Sequence, residues 1–183
     1  MSTDKYNKQK HPLDLFHYCP KCGSDQFYIK NEKAKCCHKC GFVYYFNPSA
    51  AVACFIHDTK GQLLLVRRGK EPAKGTLDLP GGFVDMNETA EEAARREVKE
   101  ETGLELESCK ILFSIPNRYP YSDFLVHTID LFFTCEVKSF NQAKAADDAA
   151  ELIIANEKDI RIEDFGLLSI KQAIARIINA PIQ

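Results

Sequence analysis

From residue 48 to residue 183 the apolar positions alternate between strand-like runs and helical stripes, with no internal repeat. AVACFI (51–56) and QLLLVRR (62–68) flank His57-Asp58-Thr59-Lys60-Gly61, a hairpin signal. GTLDLPGGFVD (75–85) is punctuated by glycine and proline and reads as a loop. A helix is expected from about Ala90 to Thr102, opened by a Thr89/Glu92 capping box and closed at Gly103. LELESCKILFSI (104–115) and FLVHTIDLFFTCEV (124–137) read as long strands. NQAKAADDAA (141–150) is a polar connection and ELIIAN (151–156) a short strand. A last helix is expected from Ser169, with Gln172 completing a second capping box and Ile170, Ile174, Ile177 and Ile178 forming its stripe. The pattern predicts an α/β sandwich with a mixed sheet over 48–183. Residues 17–46, rich in Cys, Lys and Gly, predict a metal-clipped hairpin, and residues 1–16 a flexible arm.

Composition narrows the class without naming a function. The chain has 183 residues, 45% of them hydrophobic and 27% charged, ordinary for a globular protein. A formal net charge of −2 gives no footprint for non-specific nucleic-acid binding. The first residues are polar, and no apolar run approaches the roughly 18 residues of a membrane helix, so a cytoplasmic protein is expected.

The segment 82–104 carries the most chemistry. Set Ala94 at zero on a helix of about 100° per residue: Ala90 and Val98 fall about 40° to either side. Glu101 lands about 20° away and Glu97 about 60° away, on the same apolar face, with Glu100 on its flank. Arg95, Arg96, Lys99 and Glu92 project elsewhere. Two carboxylates on an apolar face are costly unless a cation joins them, and hard oxygen ligands suit Mg²⁺. The alternative is a solvated acidic helix laced with pairs such as Glu92–Arg96. Gly81-Gly82 ahead of the helix would let backbone approach a metal or phosphate closely, which favours a site.

This segment resembles the Nudix box, G-x5-E-x7-R-E-U-x-E-E-x-G-U with U aliphatic. The matching residues are Gly82, Glu88, Arg96, Glu97, Val98, Glu100, Glu101, Gly103 and Leu104. The resemblance implies an α/β/α Nudix sandwich and a pyrophosphohydrolase. It implies that Glu97 and Glu101 bind Mg²⁺ (or Mn²⁺), that Glu100 is a ligand or the general base, and that Glu88 supports the loop or a further metal. Arg96, on the Glu100 side, would orient the carboxylates. A further acidic ligand is expected at the start of a late strand: Glu151 first, Asp148 second.

Five of the eight cysteines crowd one stretch. Cys19-x2-Cys22 and Cys37-x2-Cys40, each followed by glycine, are two knuckles that predict one structural Zn²⁺. Cys36 is spare, and His17 and His38 read as surface residues. Cys54, Cys109 and Cys135 read as small buried hydrophobes. A zinc ribbon before a Nudix domain resembles the NADH pyrophosphatase branch, whose box is followed by S-Q-P-W-P-F-P-x-S. Here the stretch is Ser114-Ile115-Pro116-Asn117-Arg118-Tyr119-Pro120-Tyr121-Ser122: both serines and the first and last prolines agree, while Gln, Trp and the middle Pro are replaced.

The branch resemblance implies cleavage of NAD(H) or ADP-ribose with release of AMP, and a homodimer. The departures make ADP-ribose a serious rival to NADH, with Tyr119 expected to stack on adenine and Arg118 to meet a phosphate. Two alternatives share the scaffold: a nucleotide-sugar-sensing regulator, and a hydrolase of nucleotide caps or another nucleoside diphosphate derivative. The intact box and near-neutral charge weigh against the regulator and against nucleic acid as a partner.

Overall fold

A computed structural model describes residues 11–178, which form two compact units. The first takes the chain up to Pro48 together with Pro120–Val126. Its strands β1 (Phe27–Asn31), β2 (Ala34–Cys37) and β3 (Val43–Tyr45) make an antiparallel sheet in that order. The unit's buried cluster is small: Cys19, Phe27 and Cys37, with Cys40 and Phe42 against it. A core of that size does not hold a chain of fewer than about 40 residues without a staple. Part of the expected arm belongs to this unit. His11–Leu15 folds into turns, with His11 and Leu13 buried. The His11 ring donates from Nε2 to the Asn31 carbonyl (2.8 Å) and accepts the Leu13 amide at Nδ1 (3.1 Å). Residues 1–10, the rest of the arm, lie outside the described residues.

The second unit holds β4 (Ser49–His57), β5 (Leu63–Arg68), β6 (Leu77–Asp78), α1 (Ala90–Thr102), β9 (Ala149–Ala155) and α2 (Leu168–Ile178). It also takes most of β7 (Ser108–Tyr121) and β8 (Phe124–Glu136). The sheet runs β6-β5-β4-β8-β7, with β9 also pairing β5. The β4–β8 pair is parallel, while β5 is antiparallel to β4, β6 and β9. AVACFI is a continuous apolar run because both sheet faces are covered. Val52, Cys54 and Ile56 pack with Ala93, Ala94 and Val98 of α1, while Ala53 and Phe55 pack with Ile170, Ala173 and Ile174 of α2. This is the expected α/β/α sandwich with a mixed sheet. Among the described residues no helix is long and apolar enough to cross a membrane.

Two elements differ from the sequence reading. The strand expected over 104–115 begins at Ser108 and continues to Tyr121. Leu104 and Leu106 are buried against α1 in a connection, so their apolar spacing reports packing and not a strand. Pro116 and Pro120 are tolerated because β7 is an edge strand of this sheet. The second capping box does not form. α2 starts at Leu168, which puts Ser169 inside the helix with a buried hydroxyl that has no hydrogen-bond partner. The stripe also ends early, since Ile178 is exposed.

Candidate functional site

The carboxylate helix is fixed by local chemistry at both ends. Thr89 Oγ1 accepts the Glu92 amide (3.2 Å) and the Glu92 carboxylate accepts the Thr89 amide (2.8 Å). Gly103, at φ 71°, donates to the Lys99 carbonyl and ends the helix in the left-handed conformation. The face carrying Ala94 and Val98 is fully buried, and Glu101 on it is only 6% exposed. The Glu101 carboxylate accepts the Gly81 amide (3.1 Å).

Gly81 and Gly82 are required by close approach. The segment Pro80–Val84 runs along β4, the Cys54 and Val52 amides donating to the carbonyls of Pro80 (2.9 Å) and Gly82 (2.8 Å). A Cβ on Gly81 would strike the Val52 carbonyl oxygen, and one on Gly82 would occupy the place of the Glu97 carboxylate.

Arg96 organises the other acids. Its Nε and Nη2 donate to the two oxygens of Glu88 (2.8 and 2.9 Å), and Nη1 to Glu97 (2.8 Å) and Glu100 (3.1 Å). Nη2 also donates to the Phe83 carbonyl (3.0 Å). The helical projection placed Arg96 away from Glu97, but its long side chain reaches back around the helix. Glu92, which the solvated-helix alternative would pair with Arg96, is used in the cap as expected.

Burial pushes the Glu101 carboxyl up to about 8; the Gly81 amide opposes the shift, and the charges of Glu97, Asp78 and Asp148 add to it. Burial also raises Glu97, against the pull of Arg96 and with Glu100 and Asp147 adding repulsion. The Arg96 hydrogen bonds hold Glu88 below the usual carboxylate range. Crowded, part-buried acids of this kind fit a bound divalent cation.

The late acidic residues separate by sheet face. Glu151 lies opposite Arg67 on β5 and pairs with it (2.7 Å). Two residues on, Ile153 packs with the α2 core, whereas Leu152 packs with the α1 core. Strand alternation therefore puts Glu151 on the α2 face, away from the box. Asp147 and Asp148 are the acids whose charge reaches Glu97 and Glu101. They are brought there by the connection after β8, where the Lys144 and Ala146 amides donate to the carbonyls of Thr102 (2.9 Å) and Glu101 (3.0 Å). Asp148 is also paired with Lys70.

Beside the carboxylates stands an aromatic pair. Tyr119 meets Phe83 edge-on, ring centroids 5.9 Å apart, and Phe83 is 43% exposed. Arg118 is exposed and alternates to the face of β7 opposite Tyr119, so the two do not converge. Phe83 occupies an unspecified position of the box motif; its signal in the sequence is an aromatic placed directly after the glycine pair.

In the first unit the four knuckle cysteines come together, all four sulfurs within 4.8 Å of one another. Cys19 and Cys40 are 3.8 Å apart and Cys22 and Cys37 3.7 Å. The knuckles repeat one geometry: the Cys19 and Cys37 amides donate to the carbonyls of Ser24 and Phe42, and Gly23 and Gly41 donate back to Cys19 and Cys37. Cys36 stands outside the cluster. The box carboxylates do not converge as closely.

Comparison with known proteins agrees with this arrangement. A NUDIX domain model matches residues 47–176. An ADP-ribose pyrophosphatase of Methanocaldococcus jannaschii is 41% identical over 109 residues, covering 58% of this chain and 61% of that enzyme. The NAD-capped RNA hydrolase NudC of Escherichia coli is 28% identical over 159 residues, 87% of this chain and 57% of that protein. The chain thus spans about three fifths of the length of these curated relatives. Among solved structures, a Nudix hydrolase from Nitrosomonas europaea superposes with a TM-score of 0.69 at 23% identity, covering 88% of this chain and 89% of that one, a likeness of fold. With the matched model running from Asn47 through α1 and into α2, and the box intact on a capped helix, the chain belongs to the Nudix family.

Proposed function

We propose that this protein hydrolyses the diphosphate bond of a nucleotide-linked substrate, ADP-ribose or NAD(H), releasing AMP and the other half as a monophosphate. The observation that carries the reading is the set of box carboxylates gathered by Arg96 and Gly81, with Phe83 and Tyr119 beside them. The aromatic pair offers a surface for a planar base. Replacement of the branch's Gln, Trp and middle Pro by Ile115, Asn117 and Arg118 favours ADP-ribose over NADH, and the name of the archaeal relative supports the same order.

Nudix enzymes generally use a divalent metal, and Glu97, Glu101 and Asp148 would hold it here, with Glu100 beside them. When bound, Mg²⁺ would neutralise the diphosphate oxygens and polarise the phosphorus under attack. One of the box glutamates takes the proton of the attacking water. Arg96 keeps Glu97 and Glu100 in place for that transfer, and the Gly81 amide does so for Glu101. In the first unit we infer that Cys19, Cys22, Cys37 and Cys40 hold one structural Zn²⁺.

The test is a panel of ADP-ribose, NADH, NAD, nucleoside triphosphates and NAD-capped RNA with Mg²⁺. ADP-ribose should be cleaved comparably to NADH or better. Hydrolysis confined to nucleoside triphosphates would overturn the substrate reading. Cleavage of the capped RNA alone would favour the cap-hydrolase alternative.

The two late acids give a sharper comparison. Asp148→Asn should lower kcat roughly tenfold to a hundredfold, whereas Glu151→Gln should stay within about threefold of wild type. The reverse order, measured at saturating Mg²⁺, would restore Glu151 as the ligand.

A further inference from the structure

We propose that Arg68 is a positioning residue that holds the base-recognition end of the site at a fixed distance from its carboxylate end; the inference rests on the reading of Tyr119 and the box given above. β5 and β4 pair only at Ile56–Leu64 and His57–Leu63, so beyond Leu64 the ladder between them stops. The segment Pro80–Val84 lies along β4 instead. Arg68, at the diverging end of β5, sends its guanidinium in three directions. Nε donates to the Pro72 carbonyl (2.7 Å), Nη1 to Asp78 Oδ2 (2.5 Å) and Nη2 to the Tyr119 hydroxyl (3.4 Å). The other Asp78 oxygen accepts the Leu79 amide (2.8 Å), two residues before the Gly81 amide that meets Glu101. One planar group thus connects β7, the 69–76 turn and the glycine loop.

Stability alone does not account for the arrangement. The side chains of Arg68 and Asp78 are 17% and 7% exposed, and a buried ion pair is often no more stabilising than apolar residues of the same volume. What the pair supplies is direction. A guanidinium presents fixed, divergent donors, whereas an ammonium in its place keeps the charge and can satisfy Asp78 without reaching all three partners. Tyr119, turned edge-on to Phe83, is set in orientation by what holds its hydroxyl as well as by ring packing.

The experiment is a double-mutant cycle of Arg68→Lys and Tyr119→Phe in the full chain with Mg²⁺, using the substrate that the panel shows to be cleaved best. Arg68→Lys should raise KM roughly five- to tenfold and lower kcat several-fold, through Tyr119 and the glycine loop respectively. Tyr119→Phe should raise KM several-fold and leave kcat within about twofold. In the double variant KM should be no higher than in Arg68→Lys alone, while the fall in kcat persists. Multiplying KM effects, or kinetics unchanged with only a lower Tm, would overturn the proposal. Tyr119→Phe removes one hydroxyl and keeps the ring, so it remains informative if Arg68→Lys does not fold: an unchanged KM in that variant would also overturn it. Should the wild type prefer a nucleoside triphosphate, the substrate reading falls and the same cycle on that substrate still decides the role of Arg68.

Discussion

Glu97→Gln and Glu101→Gln should each lower kcat by roughly two to four orders of magnitude and weaken Mg²⁺ dependence to match. Both carboxylates lie on or beside the buried face of α1, and each is held by a single fixed donor, Arg96 or Gly81. Glu100, bonded to the same Arg96 nitrogen as Glu97, lies on the exposed flank and not on the buried face. The same substitutions should not harm the fold. Burial holds Glu101 near 8, against an ordinary value of 4.5. Between those values the unfolded chain releases a proton that the folded chain keeps. Stability of the magnesium-free protein therefore falls as pH rises from 4.5 to about 8. Below that window both states are protonated and the effect vanishes. Glu101→Gln removes the titration, so its gain over wild type should be roughly 1–3 kcal/mol at pH 8 and close to zero at pH 4.5. Urea unfolding in magnesium-free buffer at the two pH values reads this difference. Near-normal turnover at saturating Mg²⁺ would show that the wrong residues have been chosen, and an equal gain at both pH values would remove burial of the charge as its cause.

What could be read from the sequence was what local chemistry decides. α1 was legible to the residue because its cap, its period and its terminal glycine are short-range signals that agree with one another. The cysteine knuckles were legible for the same reason: two thiols and a glycine fix each turn within five residues. Legibility failed where a side chain's reach or a chain's path decides. Helical angle locates the Cα of Arg96 but not a guanidinium that wraps back to Glu97.

The choice between Glu151 and Asp148 depends on how residues 141–148 cross the end of α1, which is set by backbone hydrogen bonds to Glu101 and Thr102 that no local pattern announces. Register bears on it as well: Glu151 falls on the face that Ile153 gives to the α2 core. Phe83 was passed over because it sits at an unspecified position of the box, and Arg68 and Asp78 because they lie ahead of it in segments with no motif. Their partners, Tyr119 above all, come from far along the chain. Ser169 misled in the opposite way. S-x-x-Q is a cap signal only where that serine immediately precedes the helix, and here the helix already runs from Leu168.

Cys37→Ser should empty the first unit of its metal, whereas Cys36→Ser should leave about one Zn²⁺ per chain in place. The two residues are adjacent on β2, so a difference between them cannot come from a general disturbance of the strand. Cys37 is fully buried, 3.7 Å from Cys22, and belongs to the four-sulfur cluster. Burial opposes ionisation of its thiol, but the amides of Cys40 and Lys39 together with the Cys22 and Cys40 thiols outweigh that and bring it down to about 7, suited to a thiolate ligand. Cys36 points the other way along the pleat, its thiol donating to the Cys37 carbonyl at 3.9 Å. The consequence for folding is large because the apolar cluster of this unit amounts, among the described residues, to three knuckle cysteines and the two phenylalanines Phe27 and Phe42. Structural zinc in such small modules contributes on the order of 10 kcal/mol, far more than that cluster can supply. Loss of zinc should therefore expose residues 11–48 to protease while 49–119 stays protected. Metal analysis of the purified variants, paired with limited proteolysis, tests both halves. Zinc retained in Cys37→Ser, or lost in Cys36→Ser, would mean that the cluster is not the ligand set.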